Sequence, residues 1–107
     1  MNRFVLIYTT WPEINLAKQT AHQLLERQLI ACANVFPQMT SVYTWKEKIE
    51  EEDEVVMLLK TTEEAFSSIK QVILDNHPYD CPAIFQLDIA DGHDEFLNWI
   101  NQKVLVH

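Results

Sequence analysis

Glycine is almost missing from this chain: Gly92 is the single one in 107 residues. A phosphate-cradling P-loop or a dinucleotide fingerprint needs several glycines within a short span, so both are excluded. Long apolar stretches are missing too. The longest runs, such as Phe4 to Tyr8 and Val55 to Leu59, fall far short of the ~20 residues of a bilayer-crossing helix. The start, Met1-Asn2-Arg3 followed by that short run, lacks the apolar region of about 7 to 15 residues that a secretory leader carries, and a cytoplasmic location is expected. Cations are scarce. Eight Lys and Arg against sixteen Asp and Glu leave a net charge of −8, which repels phosphate backbones and argues against a nucleic-acid partner. The two cysteines, Cys32 and Cys81, lie far apart and form no CxxC pair. Free thiols in a reducing compartment fit better than a disulfide framework. No repeat and no linker rich in Gly, Pro or Ser divides the chain, so residues 1–107 form one domain.

What is present is the composition of a folded protein, 48% hydrophobic and 22% charged. Phe4-Val5-Leu6-Ile7-Tyr8 reads as a central strand. Thr10 and Glu13 match a capping box with Pro12 in the first turn, which predicts a helix carrying Ile14, Ala17, Ala21, Leu24 and Leu25 to about Gln28. Ala31 to Val35 reads as a second strand, interrupted near Pro37 and resumed through Val42, Tyr43 and Trp45 to Lys46. The chain turns at Lys46-Glu47-Lys48, and a third strand returns from Ile49 to Thr61. Thr61 and Glu64 repeat the capping-box pattern ahead of a helix with Phe66, Ile69, Val72 and Ile73 on one face, closed by Asn76 and Pro78. Ala83 to Ile89 alternates as a fourth strand, and a final helix after Gly92 carries Phe96, Leu97 and Ile100.

The order is α+β, a ferredoxin-like βαββαβ arrangement with a C-terminal helix, and right-handed crossovers place both main helices on one sheet face. The middle hairpin is longer than the helices can cover. Its excess, with Val42, Tyr43, Trp45 and Ile49, predicts an exposed ribbon that other copies of the chain shelter.

Several segments taken together resemble the CutA family of divalent-cation tolerance proteins. They are Leu29-Ile30-Ala31-Cys32-Ala33-Asn34-Val35 with Pro37, Ser41-Val42-Tyr43-Thr44-Trp45-Lys46-Glu47-Lys48-Ile49-Glu50, Leu59-Lys60-Thr61, His77-Pro78-Tyr79 with Pro82, and Leu97-Asn98-Trp99-Ile100. The resemblance implies a subunit similar in topology to the nitrogen-regulatory PII proteins, assembled as a homotrimer through its long hairpin, with a role in copper tolerance or binding. It also implies departures here. Glu47 and Gln38 stand where the family usually has turn glycines, so each turn either avoids positive φ or accepts a cost near 1 kcal/mol. Thr9 and Asn76 stand where copper-binding relatives carry a cysteine and the first of two histidines.

A soft metal needs thiolate and imidazole ligands converging from more than one element, which leaves His77, Cys32 and Cys81 as candidates. Against that stands a structural reading: Cys32 a small buried side chain, Cys81 a loop thiol, His77 the end of the second helix. His22, His93 and His107 are weaker ligands. Tyr43, Trp45, Lys60, Tyr79 and Trp99 combine aromatic area with polar tips. They are either trimer contacts or, with Lys60, the lining of clefts between subunits that hold an anion or small ligand. The run Glu50 to Glu54 reads as a solvated strand flank, with contact to a divalent ion as the alternative. No enzyme is expected, because nothing in the sequence supplies a thiolate-stabilising pocket with an orienting carboxylate. No cofactor is required, with copper or another divalent cation as the candidate ligand. The expected role is metal tolerance through binding, and the rivals are a PII-like sensor of a small molecule and a structural anchoring module.

Overall fold

A computed structural model describes residues 3–106; His107 and the start at Met1 and Asn2 lie outside them. In chain order the elements are β1 (Phe4–Trp11), α1 (Ile14–Glu26), β2 (Cys32–Trp45), β3 (Lys48–Thr62), α2 (Phe66–Asn76), β4 (Ile84–Asp88) and α3 (Asp94–Lys103), with a 3-10 turn over Glu63–Ala65. One antiparallel sheet has the order β2-β3-β1-β4. This is the expected ferredoxin-like α+β architecture.

Period-2 geometry sorts β1 into two faces. Val5, Ile7, Thr9 and Trp11 are fully buried under the helices. They pack with Met57 and Leu59 of β3, Leu24 of α1, and Ile69 and Ile73 of α2 in one core. Phe4, Leu6 and Tyr8 face the other way and stay half-buried.

Both expected capping boxes are corrected. β1 continues through Thr10 and Trp11, which pair with Val56 and Val55, and no side chain caps α1. The indole of Trp11 is fully buried, and that burial holds the chain extended where a cap would need it to turn. Thr61 likewise remains in β3, its hydroxyl donating to the Leu29 carbonyl at 2.6 Å in buried surroundings. The 3-10 turn then leads into α2 with Glu63 and Glu64 at its start, where carboxylates suit the helix dipole.

The first helix stops two residues earlier than expected, in a Schellman motif. Gln28 adopts φ 57, its N–H bonds the Leu25 carbonyl, and the Leu29 N–H bonds the Leu24 carbonyl, both at 3.0 Å. The two turns without glycine resolve oppositely. At the hairpin tip Lys46 and Glu47 both take positive φ, 49 and 64, the twist a two-residue hairpin loop demands. At Pro37-Gln38 the strand bulges instead, shifting register between Phe36 and Met39 without left-handed backbone. Gly92 serves close approach: a Cβ there would sit 3.2 Å from Leu97 Cδ2.

β1 covers β3 only from Val55 to Thr62, so residues 48–54 of β3 pair with β2 alone. That free ribbon carries Trp45 at 61% exposure and Ile49 at 78%.

Candidate functional site

The ribbon positions one wall of a cleft of about 480 Å³, lined by Tyr43 and Trp45 of β2, Glu52 and Glu54 of β3, Thr10 of β1, and Tyr79, Asp80, Cys81 and Ala83 of the segment before β4. Strand pairing explains the clustering. Glu52 lies opposite Ser41 and Glu54 opposite Met39, so Glu52 and Glu54 share a face with Tyr43 as the diagonal neighbour of Glu52. Tyr43 donates to Glu52 Oε2 at 2.6 Å, Ser41 to Glu54 Oε1 at 2.5 Å, and Tyr79 to Glu54 Oε2 at 3.3 Å. The bond to Glu52, reinforced by the neighbouring carboxylate charges, pushes the Tyr43 phenol up to about 12. Tyr79 is also raised to about 12, first by partial burial and then by the charges of Glu54 and Glu52. Both phenols are therefore neutral donors at any physiological pH.

His77 closes α2 in extended backbone, φ −84 and ψ 134, as the following Pro78 requires. Its Nδ1 accepts the Tyr79 N–H at 3.2 Å, so Nε2 carries the proton and donates to the Thr10 carbonyl at 2.7 Å. The ring stacks on Trp11 at 4.3 Å and tilts against Tyr79 at 4.7 Å. Both ring nitrogens are thus engaged in joining the α2 end to β1.

Of the residues singled out from sequence, Tyr43, Trp45, Tyr79 and Cys81 meet in the cleft, with His77 adjoining through Tyr79. Cys32 is held apart. It pairs with Lys60, which pairs with Leu6, and Leu6 lies about 13 Å along β1 from Thr10. Lys60 and Trp99 form a different cluster: the Lys60 ammonium lies 5.2 Å over the Phe96 ring, which sits 5.4 Å from Trp99. Among the described residues, no three of His, Cys, Asp and Glu converge in a metal-holding group.

The two positions named as departures from the resembled family, Thr9 and Asn76, sit in the body of the fold. Thr9 is fully buried in β1. Asn76 donates to the Val72 carbonyl at 2.8 Å and to Gln23 Oε1 at 3.1 Å, joining α2 to α1. Sequence reading took Glu52 and Glu54 only as part of an acidic run, apart from the aromatic cluster they join, and missed Asp80. The alternation of Glu50, Glu52 and Glu54 was the available signal, since it puts those side chains on one face beside the aromatic positions of β2.

The family model of the CutA1 divalent ion tolerance protein matches residues 5–103. The divalent-cation tolerance protein CutA of Pyrococcus horikoshii is 40% identical over 99 residues, covering 92% of this chain and 96% of that protein. A CutA homologue from Xenopus laevis is 39% identical over 97 residues, 91% of this chain, and the chain spans 64% of that longer relative. The crystal structure of the divalent ion tolerance protein CutA1 from Ehrlichia chaffeensis superposes with a TM-score of 0.92 at 39% identity, covering 99% of each chain. The matched segment runs from the first strand to the last turn of α3, so the chain belongs to the CutA1 family of divalent-ion tolerance proteins.

Proposed function

We propose that this protein acts in tolerance of divalent cations, chiefly copper, as a homotrimer that binds its ligand and performs no covalent catalysis. The observation that carries the assembly is the sheet face opposite the helices. Phe36, Phe85 and Leu87 lie on it at 51%, 46% and 46% exposure, and Tyr43 and Trp45 continue it on the ribbon, whose other side exposes Val42 and Ile49. An apolar face of this kind is stable in water when other copies cover it.

For copper the supporting pair is His77 with the exposed thiol of Cys81, four residues on in the same segment. Binding there replaces the His77 bond to the Thr10 carbonyl, so the affinity is set by a competition with the fold. The test is equilibrium titration of the intact protein with copper, alongside sedimentation to give the assembly mass. Saturable uptake abolished by both His77→Ala and Cys81→Ser supports the reading. Uptake unchanged in both variants removes this ligand pair, and a well-folded monomer at micromolar concentration removes the trimer.

A second reading is favoured by the cleft itself: a small molecule held against Tyr43, Trp45 and Tyr79, as in a sensor whose clefts lie between subunits. Its volume lies within the range of about 300 to 1,000 Å³ usual for small-molecule sites. A purely anchoring module predicts neither ligand.

A further inference from the structure

The chain's single glycine stands directly after an aspartate, so Asp91-Gly92 is the one place where an aspartate precedes a residue without a side chain. Both lie exposed in the stretch between β4 and α3, which holds no regular structure. The Gly92 N–H donates back to Asp91 Oδ1 at 2.8 Å. We propose that Asp91 is a site of spontaneous covalent modification: it cyclises onto the Gly92 nitrogen and reopens as a β-linked isoaspartate.

The chemistry is a condensation followed by a hydrolysis. The Gly92 nitrogen attacks Asp91 Cγ: the N–Cγ bond forms, the Cγ–O bond breaks, and the amide hydrogen leaves with the carboxyl OH as water. Water then adds to the main-chain carbonyl of Asp91 in the resulting cyclic imide and breaks its bond to the Gly92 nitrogen. The chain now runs through Cγ and carries a free α-carboxylate, with mass and oxidation state unchanged. Three observations favour closure at this position. The hydrogen bond already holds the nitrogen beside the carboxyl group it attacks, which makes the step intramolecular in a preset geometry. Glycine leaves that nitrogen uncrowded, whereas Asp75, Asp80, Asp88 and Asp94 precede Asn76, Cys81, Ile89 and Glu95. The loop is also remote from the ribbon: β4 ends with Asp88 opposite Val5, and the ribbon departs beyond Trp11 at the other end of β1. Sheltering of the ribbon by other copies therefore leaves the loop in water. The added main-chain methylene falls where backbone and side chain run close, since a Cβ on Gly92 would sit 3.2 Å from Leu97 Cδ2, so isomerisation disturbs the entry to α3.

The test ages the full chain in its own assembly for several weeks at neutral pH and physiological temperature. Trypsin releases residues 71–103 as one peptide that carries Asp91 together with the four other aspartates, which serve as internal controls. Electron-transfer fragmentation locates the β-linked residue, and an isoaspartyl methyltransferase with labelled S-adenosylmethionine counts the freed α-carboxylates. The expected result is isoaspartate accumulating at Asp91 several-fold faster than at any of the controls. Its rate in the folded protein should be no lower than about a third of that in a free peptide of residues 87–97, because the loop is open and the contact is preformed. Asp91→Glu keeps the charge at an exposed position but needs a larger ring, and it should abolish the methyl-accepting signal; circular dichroism checks that it stays folded. Isomerisation at Asp91 no faster than at the control aspartates overturns the proposal. So does a folded rate below that third, which would mean that the fold holds the nitrogen out of reach. A methyl-accepting signal that persists in Asp91→Glu places the modification elsewhere and overturns it as well.

Discussion

Among the described residues three hold left-handed backbone and none is glycine: Gln28, Lys46 and Glu47. A side chain in that region carries a steric cost of order 1 kcal/mol that glycine avoids. Gln28→Gly relieves the Schellman turn after α1 and Glu47→Gly the hairpin tip. Each is expected to raise stability by up to about 0.5 kcal/mol, net of the extra freedom glycine gives the unfolded chain. Chemical denaturation at fixed protein concentration measures it, and a fall in midpoint for both would contradict the strain. The tyrosines make a prediction of a different kind. Tyr43 and Tyr79 ionise at about 12 in the fold against 10.0 for a free phenol. Because the folded value is the higher one, the stabilisation is complete below pH 10 and is lost as pH rises toward 12. Tyrosinate absorbance should therefore show two late-ionising tyrosines, with Glu52→Gln returning Tyr43 toward 10. All tyrosines ionising together near 10 in the unmodified protein would exclude the Tyr43 to Glu52 bond.

Between elements, the decisive bonds belong to residues that look like caps in the sequence. Thr61→Val keeps the shape of a buried side chain but removes the donor to the Leu29 carbonyl, and a loss of about 1 to 2 kcal/mol is expected. Thr61→Ser, which keeps the hydroxyl, should recover most of it. Amide exchange at the start of α2 should be unaffected by either, since Thr61 caps nothing; selective fraying of α2 would restore the capping reading. The confusion is physical. A threonine followed three residues later by glutamate is a helix signal only if the chain turns at the threonine. Here pairing with β3 and burial of Trp11 carry β1 past Thr10, while pairing with Phe4 and Val5 holds Thr62 and Thr61 in β3. Element order, type and faces were legible because hydrophobic period is a property of contiguous residues. The site was legible only in part. Tyr43, Trp45, Tyr79 and Cys81 meet because a 14-residue strand carries two of them past the end of β1. Lys60 and Trp99 part from them because α3 lays Phe96 over Lys60, a packing that no local pattern encodes.

At the scale of the whole molecule, a chain of 107 residues has a radius of gyration of 14.6 Å and a longest extent of 45 Å. A compact domain of this length is expected near 13 Å. The ribbon accounts for the difference: 14 residues of β2 span about 46 Å at strand rise, while the 13 residues of α1 span about 20 Å. The helices therefore cover one end of one face, and on the opposite face Phe36, Phe85 and Leu87 are left exposed. Tyr8 stacks on Phe85 at 4.8 Å within that face. If copies of the chain cover it, a charge placed at its centre should dissociate the assembly without unfolding the subunit. Phe85→Asp is the direct form of that test, because a side chain 46% exposed in the single chain can be replaced at little cost to the subunit itself. The unmodified protein should sediment as a trimer, with a melting temperature that climbs with concentration. Phe85→Asp should sediment as a monomer with native circular dichroism and a concentration-independent melt. A variant that keeps the trimer mass and the same concentration dependence would place the assembly contacts elsewhere on the molecule.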